Sequence, residues 1–272
     1  LAETCVASLT IEQLLEMSGK NESVLADLLP MKMTYGAIEG SDRLRDAICT
    51  LYEKQSRQNV VVTHGAIGAN ALVHATLVEP GDHVISVKPT YQQHYSIPES
   101  YGAEIEILHL REENGFLPDL NELRAMIRPD TKLIVINNPN NPTGALMEAG
   151  FLDDFANIAR SVGAWVLCDE VYRGTNQTGS GFAPAIADVY EKGISVGGMS
   201  KAFSLAGLRL GWIVAPVEIL EAVMIHYIPA DMIASVLGGT GILPIILGAV
   251  VGAPAYLNGY AAVPMVDALL AQ

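Results

Sequence analysis

Positive charge is scarce in this chain: 16 lysines and arginines stand against 30 acids in 272 residues, a formal net charge of -14. Phosphate backbones repel such a surface, which excludes nucleic acid as a partner, and any anion must be met by specific groups. Cysteine is sparse too. Cys5, Cys49 and Cys168 are odd in number and far apart, with no CxxC among them. That excludes a disulfide framework and fits free thiols in a reducing, cytoplasmic compartment. The six histidines form no HExxH or comparable pair, so no metal site is expected. No basic segment leads into a short apolar run at the start, so no secretory signal is expected, and a first residue Leu1 suggests missing N-terminal sequence.

Apolar residues, by contrast, make up 50% of the chain, and the mean hydropathy of +0.30 is high for a soluble enzyme. The excess is concentrated at one end. From Tyr227 to Gln272 there is no lysine or arginine, Asp231 and Asp267 are the only acids, and Met232 to Val251 is uncharged. About twenty such residues match the thickness of a bilayer, where interior Gly and Pro are tolerated. The chain is therefore divided into 1–226, with an N-terminal arm over 1–40, and an apolar tail at 227–272. Around Tyr256 and Tyr260 the tail resembles integral-membrane permeases. Three readings stay open: a truncated or misjoined gene product, a natural fusion with membrane contact, or a buried apolar helix pair.

Before that tail the chain alternates. Short β-branched runs at Val60–Thr63, His83–Val87, Glu104–Leu110, Lys132–Ile136, Ala164–Cys168, Ile194–Val196 and Leu210–Val214 predict strands. Helical spacing falls at Ile11–Met17, Arg43–Glu53, Ile67–Leu77, Gln92–Tyr101, Leu120–Ile127 and Phe151–Ser161. Ser41 is placed to cap the second of these helices, and Asp119 with Glu122 suggests a capping box on the fifth. Strand and helix in alternation, with continuously apolar strands, indicate an α/β domain with a mainly parallel sheet. Ligands of such sheets sit at the carboxyl ends of the strands, so the loops there hold the interest.

Those loops are unusual. Gly65-Ala66-Ile67 is a small-residue turn opening a helix, whose bare amides suit an anion. His64 before it reads as a pocket acid/base or, more commonly, as a packed or capping histidine. Tyr91 puts an aromatic ring at a strand end. Asn137, Asn138, Asn140 and Asn141 crowd one turn with Pro139 and Pro142, where an Asn-Pro bond suits the cis form. Asp169 and Glu170 end an apolar strand, where a carboxylate needs a cation or strong donor. Lys201 follows a glycine-rich run beside Ser200, with Arg209 downstream. Lysine moves its pKa readily on burial, which suits Schiff-base chemistry. Glu3 and Glu39 could approach a pocket, though surface carboxylates are the commoner case.

In order, Tyr-Gly-x-x-x-Gly, Pro-Thr-Tyr, Asn-Pro-Asn-Asn-Pro-Thr-Gly, Asp-Glu-x-Tyr, and Ser-Lys followed by Gly-x-Arg-x-Gly resemble the class I/II aminotransferases. The resemblance runs from about Tyr35 to Pro216. It implies a three-layer α/β fold, the fold type I large domain of pyridoxal-phosphate enzymes, with the C-terminal small domain missing or replaced. Its implied cofactor is pyridoxal 5'-phosphate and its reaction is transfer of an amino group between an amino acid and a 2-oxo acid. By the same resemblance Lys201 forms the Schiff base and moves the proton, and Asp169 pairs with the pyridine nitrogen. Asn141 and Tyr172 bond the phenolic oxygen, and Tyr91 stacks on the ring. Ala66 and Ile67 amides, Ser200 and Arg209 hold the phosphate, and Tyr35 reaches the site of the neighbouring subunit of a homodimer. Gly198 and Ile67 stand where many relatives carry a hydroxyl. Arg209 is the last arginine, so the usual clamp for a substrate carboxylate is lacking. Alternatives are a lyase or oxidase on the same site, or a cofactor-binding scaffold without turnover.

Overall fold

The computed structural model describes residues 6–19, 24, 26, 29–32, 36–175 and 182–227. Tyr35, Glu3 and everything after Tyr227 lie outside them, and so do the three readings of the tail. Among the described residues no helix is long and apolar enough to cross a membrane.

Seven strands form where the β-branched runs fall: β1 (Val60–His64), β2 (His83–Lys88), β3 (Glu104–His109), β4 (Thr131–Asn137), β5 (Trp165–Asp169), β6 (Gly193–Gly198) and β7 (Leu210–Val214). They make one sheet in the order β1-β7-β6-β5-β4-β2-β3. Neighbours from β3 to β6 are parallel. Strand β7 runs antiparallel to both β6 and β1. The helices are α1 (Ile11–Ser18), α2 (Asp42–Cys49), α3 (Gly65–Leu77), α4 (Gln93–Ser100), α5 (Leu120–Met126), α6 (Ala149–Val162), α7 (Ile186–Val189) and α8 (Val217–Tyr227).

Side chains alternate across a strand, and here both faces are covered, which gives three layers. Leu133 and Val135 of β4 pack with Ala69 and Val73 of α3 and with Leu220 of α8. Ile134 and Ile136 point the other way, onto Leu152, Phe155 and Ala159 of α6. Helix α6 buries one stripe at helical spacing and stops at Gly163, whose φ of 72° fits the left-handed cap.

Two local expectations change. Helix α2 ends at Cys49 rather than Glu53, because the Asp188 carboxylate takes the Glu53 and Lys54 amides at 2.9 and 3.0 Å. Asp119 does cap α5, accepting from Asn121 and Glu122 amides at 2.8 and 3.2 Å. The capping box is not closed, since the Glu122 carboxylate is held by the Arg111 guanidinium instead. Ser41 caps α2 through Leu44 N at 3.3 Å.

Candidate active site

Because β7 runs antiparallel, its first residues lie at the same sheet edge as the carboxyl ends of the other strands. Loops after β1, β2, β4, β5 and β6 therefore meet the start of β7 around one cleft of ≈ 330 Å³. Ala66, Ile67, Tyr91, Asn141, Asp169, Tyr172, Ser200, Lys201 and Arg209 all line it, as do Asn70, Asn137, Val171 and Ala206. Of the residues singled out for the site, Tyr35 alone falls outside the described chain. Among the described residues no group of His, Cys, Asp and Glu could hold a metal ion.

The turn that opens α3 is fixed by glycines. Gly65 has a φ of +71°, and a Cβ there would sit 2.8 Å from the Arg209 guanidinium. Arg209 itself adopts φ 51°, an uncommon left-handed conformation for a residue with a side chain. It caps the short 3-10 turn Ala206–Leu208, and its Nη1 donates to Ala206 O at 3.1 Å. Gly211 of β7 is tighter still: a Cβ would meet Gly65 C at 2.2 Å and Ala66 N at 2.4 Å. Both contacts are backbone, so nothing flexible can yield. Gly211→Ala is expected to cost at least about 1–3 kcal/mol in urea unfolding. Affinity for inorganic phosphate, measured by calorimetry, should fall with it if the displaced backbone is the turn that meets an anion, as its bare amides suit it to do.

Asparagines build the turn after β4. Asn137 Nδ2 donates to Asp169 O, and its Oδ1 accepts from Asn141 N, at 2.6 and 2.8 Å. Asn138 bonds both backbone groups of Met147. Asn140 donates to Pro89 O and Thr143 Oγ1. These tie the loop down while Asn141 faces the cleft. The Asn138-Pro139 and Asn141-Pro142 bonds are cis, as is Lys88-Pro89.

Asp169 is buried, and its partners come from two helices and its own loop. Asn70 Nδ2 donates to Oδ2 at 2.9 Å and Val171 N to Oδ1 at 3.1 Å. His94 Nε2 approaches Oδ2 at 3.5 Å. Burial raises the Asp169 pKa from 3.8 to about 6, opposed by Asn70, Val171 and the nearby Lys201. Lys201 Nζ also lies 5.8 Å from the Tyr172 ring centroid. Burial pushes His94 down to about 4 and His74 down to about 3, His94 adding to the latter.

A histidine held neutral this way contributes stability that is complete above pH 6.5 and is lost as pH falls through its folded pKa. Asparagine at 94 does not titrate. The stability difference between wild type and His94→Asn should therefore shrink by ~1.4 kcal/mol per pH unit from 6.5 down to about 4. Urea unfolding at several pH values measures it, and a constant difference would contradict the buried neutral ring.

Asn70, His94 and Asn137 join the site without having been singled out for it. Their signal was faint: Asn70 lies one helical turn beyond Ala66, and His94 three residues beyond Tyr91. Glu39 proves buried rather than exposed. His64 proves exposed and caps nothing with its side chain. It borders a second cavity of ≈ 270 Å³ that shares Arg209 with the main cleft.

A sequence model described as aminotransferase class I and II matches residues 18–254. The chain belongs to the class I and II aminotransferases. The match to the family continues past residue 226 into the apolar segment. An aspartate aminotransferase of Pyrococcus horikoshii is 34% identical over 209 residues, 75% of this chain and 54% of that protein. A capreomycidine synthase of Streptomyces vinaceus is 33% identical over 182 residues, 67% of this chain and 46% of its own. Among solved structures, a PLP-dependent aminotransferase of Streptococcus suis superposes with a TM-score of 0.79 at 45% identity. That match covers 83% of this chain and 60% of the other. The fold is thus the α/β large domain shared by these aminotransferases, and the chain spans about half the length of the curated relatives it matches.

Proposed function

We propose that this chain carries the cofactor-holding part of a pyridoxal-phosphate-dependent aminotransferase, which moves an amino group between an amino acid and a 2-oxo acid. The observation that carries the reading is the buried Asp169 carboxylate, pinned by Asn70 and Val171, in the same cleft as Lys201. The donor set fits the cofactor. A carboxylate suits a pyridine nitrogen, exposed amides and a guanidinium suit a phosphate, and a tyrosine ring suits an aromatic face. When bound, pyridoxal phosphate supplies an aldehyde that condenses with amines and a ring that accepts electrons.

The chain's own groups supply the rest. Asp169 holds a proton on its ring partner, a pairing that offsets the carboxylate's burial. Lys201 Nζ would hold the cofactor at its aldehyde carbon and, as a free amine, would carry the proton from the substrate α-carbon to the cofactor carbon. Asn141 and Tyr172 offer hydrogen bonds to the phenolic oxygen, and Tyr91 covers the ring. The Ala66 and Ile67 amides, the Ser200 hydroxyl and the Arg209 fork bind the phosphate. Tyr35 reaching into the partner's site belongs to the same reading, with a homodimer as the working unit.

Borohydride reduction of the protein with pyridoxal phosphate, followed by peptide mapping, is expected to label Lys201. A label on another lysine, or none, would refute the site. Product analysis then separates transfer from other chemistry on the same residues: keto-acid formation should require a 2-oxo acid acceptor, and ammonia release without one indicates a lyase or oxidase.

A further inference from the structure

We infer that Ser204 is a positioning residue for Lys201, and that the N-terminal arm holds it there through one backbone bond from Leu9. Lys201 sits in the turn 199–205, which is closed by Leu205 N donating to Met199 O at 2.9 Å and Ser204 N to Lys201 O at 3.2 Å. Ser204 takes a φ of 57°. A residue with a side chain is disfavoured in that left-handed region and stays there only where its surroundings hold it. Among the described residues three that are not glycine have a positive φ, and two of them, Ser204 and Arg209, lie in the link from Lys201 to β7. Strained backbone gathered beside a reactive group points to a use for the strain.

The arm supplies the hold. Leu9 N donates to Ser204 O at 3.0 Å, and among the described residues no other backbone hydrogen bond joins residues 6–19 to the rest of the chain. Leu9 is half-buried, while its neighbours Ser8 and Thr10 are exposed. The helix beyond is capped from within: Thr10 and Gln13 close a capping box, and α1 buries no residue. Docking of the arm and the left-handed state of Ser204 are therefore one equilibrium, in which each stabilises the other. A rival hold exists inside the turn, where Phe203 sets its ring against Trp212 with centroids 6.4 Å apart. If that contact and the turn's own closure sufficed, losing the Leu9 N–H would leave the turn unchanged.

The test is hydrogen exchange, read by nitrogen-15 NMR on the full 272-residue chain without cofactor. In wild type the amides of Leu9, Ser204 and Leu205 are expected to be protected. Leu9→Pro removes the donor and should lower protection of Ser204 and Leu205 by about 3–10-fold, the weight of one net hydrogen bond. Adding Ser204→Gly should restore the Leu205 amide, because glycine adopts a positive φ unaided. Unchanged exchange within β4 shows that the proline chain is folded; should it not fold, the wild-type Leu9 amide decides. The positioning role is read separately, on the rate at which borohydride with pyridoxal phosphate labels Lys201 relative to the other lysines. Leu9→Pro should slow that rate at least about twofold, and Ser204→Gly should restore it. The inference is overturned if the wild-type Leu9 amide exchanges freely, if the proline leaves the turn protected, if glycine does not rescue it, or if exchange changes while Lys201 labelling does not. The labelling result rests on the function proposed above. A wild-type chain with no label on Lys201 refutes that function, while exchange still decides the hold on Ser204.

Discussion

Lys201→Ala is expected to lower kcat/KM for amino-group transfer by at least ~10⁴-fold, since positioned proton transfer alone contributes 10²–10⁴ and the covalent route is lost as well. Stability should move by no more than about 0.5 kcal/mol, because Lys201 is only part-buried and sits in a turn rather than a strand or helix. Lys201→Arg should be as inactive as the alanine variant: it keeps a cation near Asp169 but removes the nucleophile. A small primary amine added to Lys201→Ala should recover part of the activity. Steady-state kinetics read the loss, and thermal unfolding checks that the chain is intact. Residual transfer above ~1% of wild type would sink the assignment, because it would leave too little of the barrier to this amine.

Asp169→Asn should pull activity and stability in opposite directions. Raising its pKa from 3.8 to about 6 costs the folded chain about 3 kcal/mol at pH 7. The sign follows from proton binding. The folded chain keeps this proton to higher pH than the unfolded one, so the group's stability is full below about pH 3.8 and lost as pH rises through about 6. Asparagine removes the charge but turns an NH₂ toward either the Asn70 or the Val171 donor, which returns about 1 kcal/mol of the gain. A net gain of about 2 kcal/mol is expected by urea unfolding without cofactor at pH 8, vanishing near pH 4. Activity should fall by ~10²–10³, the usual loss when one preorganised electrostatic partner is removed. A variant less stable at both pH values would show that the carboxylate is not under strain. The same balance suits the function proposed above: a ring cation lying against Asp169 would compensate a charge that Asn70, Val171 and Lys201 offset only in part.

Most of this arrangement is legible in the chain. The strands announce themselves as apolar, largely β-branched runs such as Leu133 to Ile136, most of them closed by polar or glycine residues, and parallel sheets gather those closures at one edge. What escaped has physical causes. A strand's residues carry no record of direction, so the reversal of β7, which brings Arg209 to the cleft, had to come from the structure. Single polar residues inside helices are ordinary, and only packing against β5 gives Asn70 and His94 a purpose. The end of α2 depended on Asp188, a residue far along the chain that competes for the Glu53 and Lys54 amides. Glu39 lies in a glycine-bearing loop that looks solvent-exposed, yet it is buried where its carbonyl accepts from Val62 N at 2.8 Å.

The wedge of β7 between β1 and β6 has a temporal meaning. Val60 pairs with Val214 and His64 with Leu210, so the first strand of the sheet waits for the last. During synthesis β1 leaves the ribosome long before its neighbour exists, and β6 meanwhile presents an open edge, the kind of edge that invites pairing with other chains. The turn at Gly65 and Ala66 packs its backbone directly against Gly211, which β7 supplies. The phosphate-holding role proposed for that turn therefore depends on a sheet that has closed around β7.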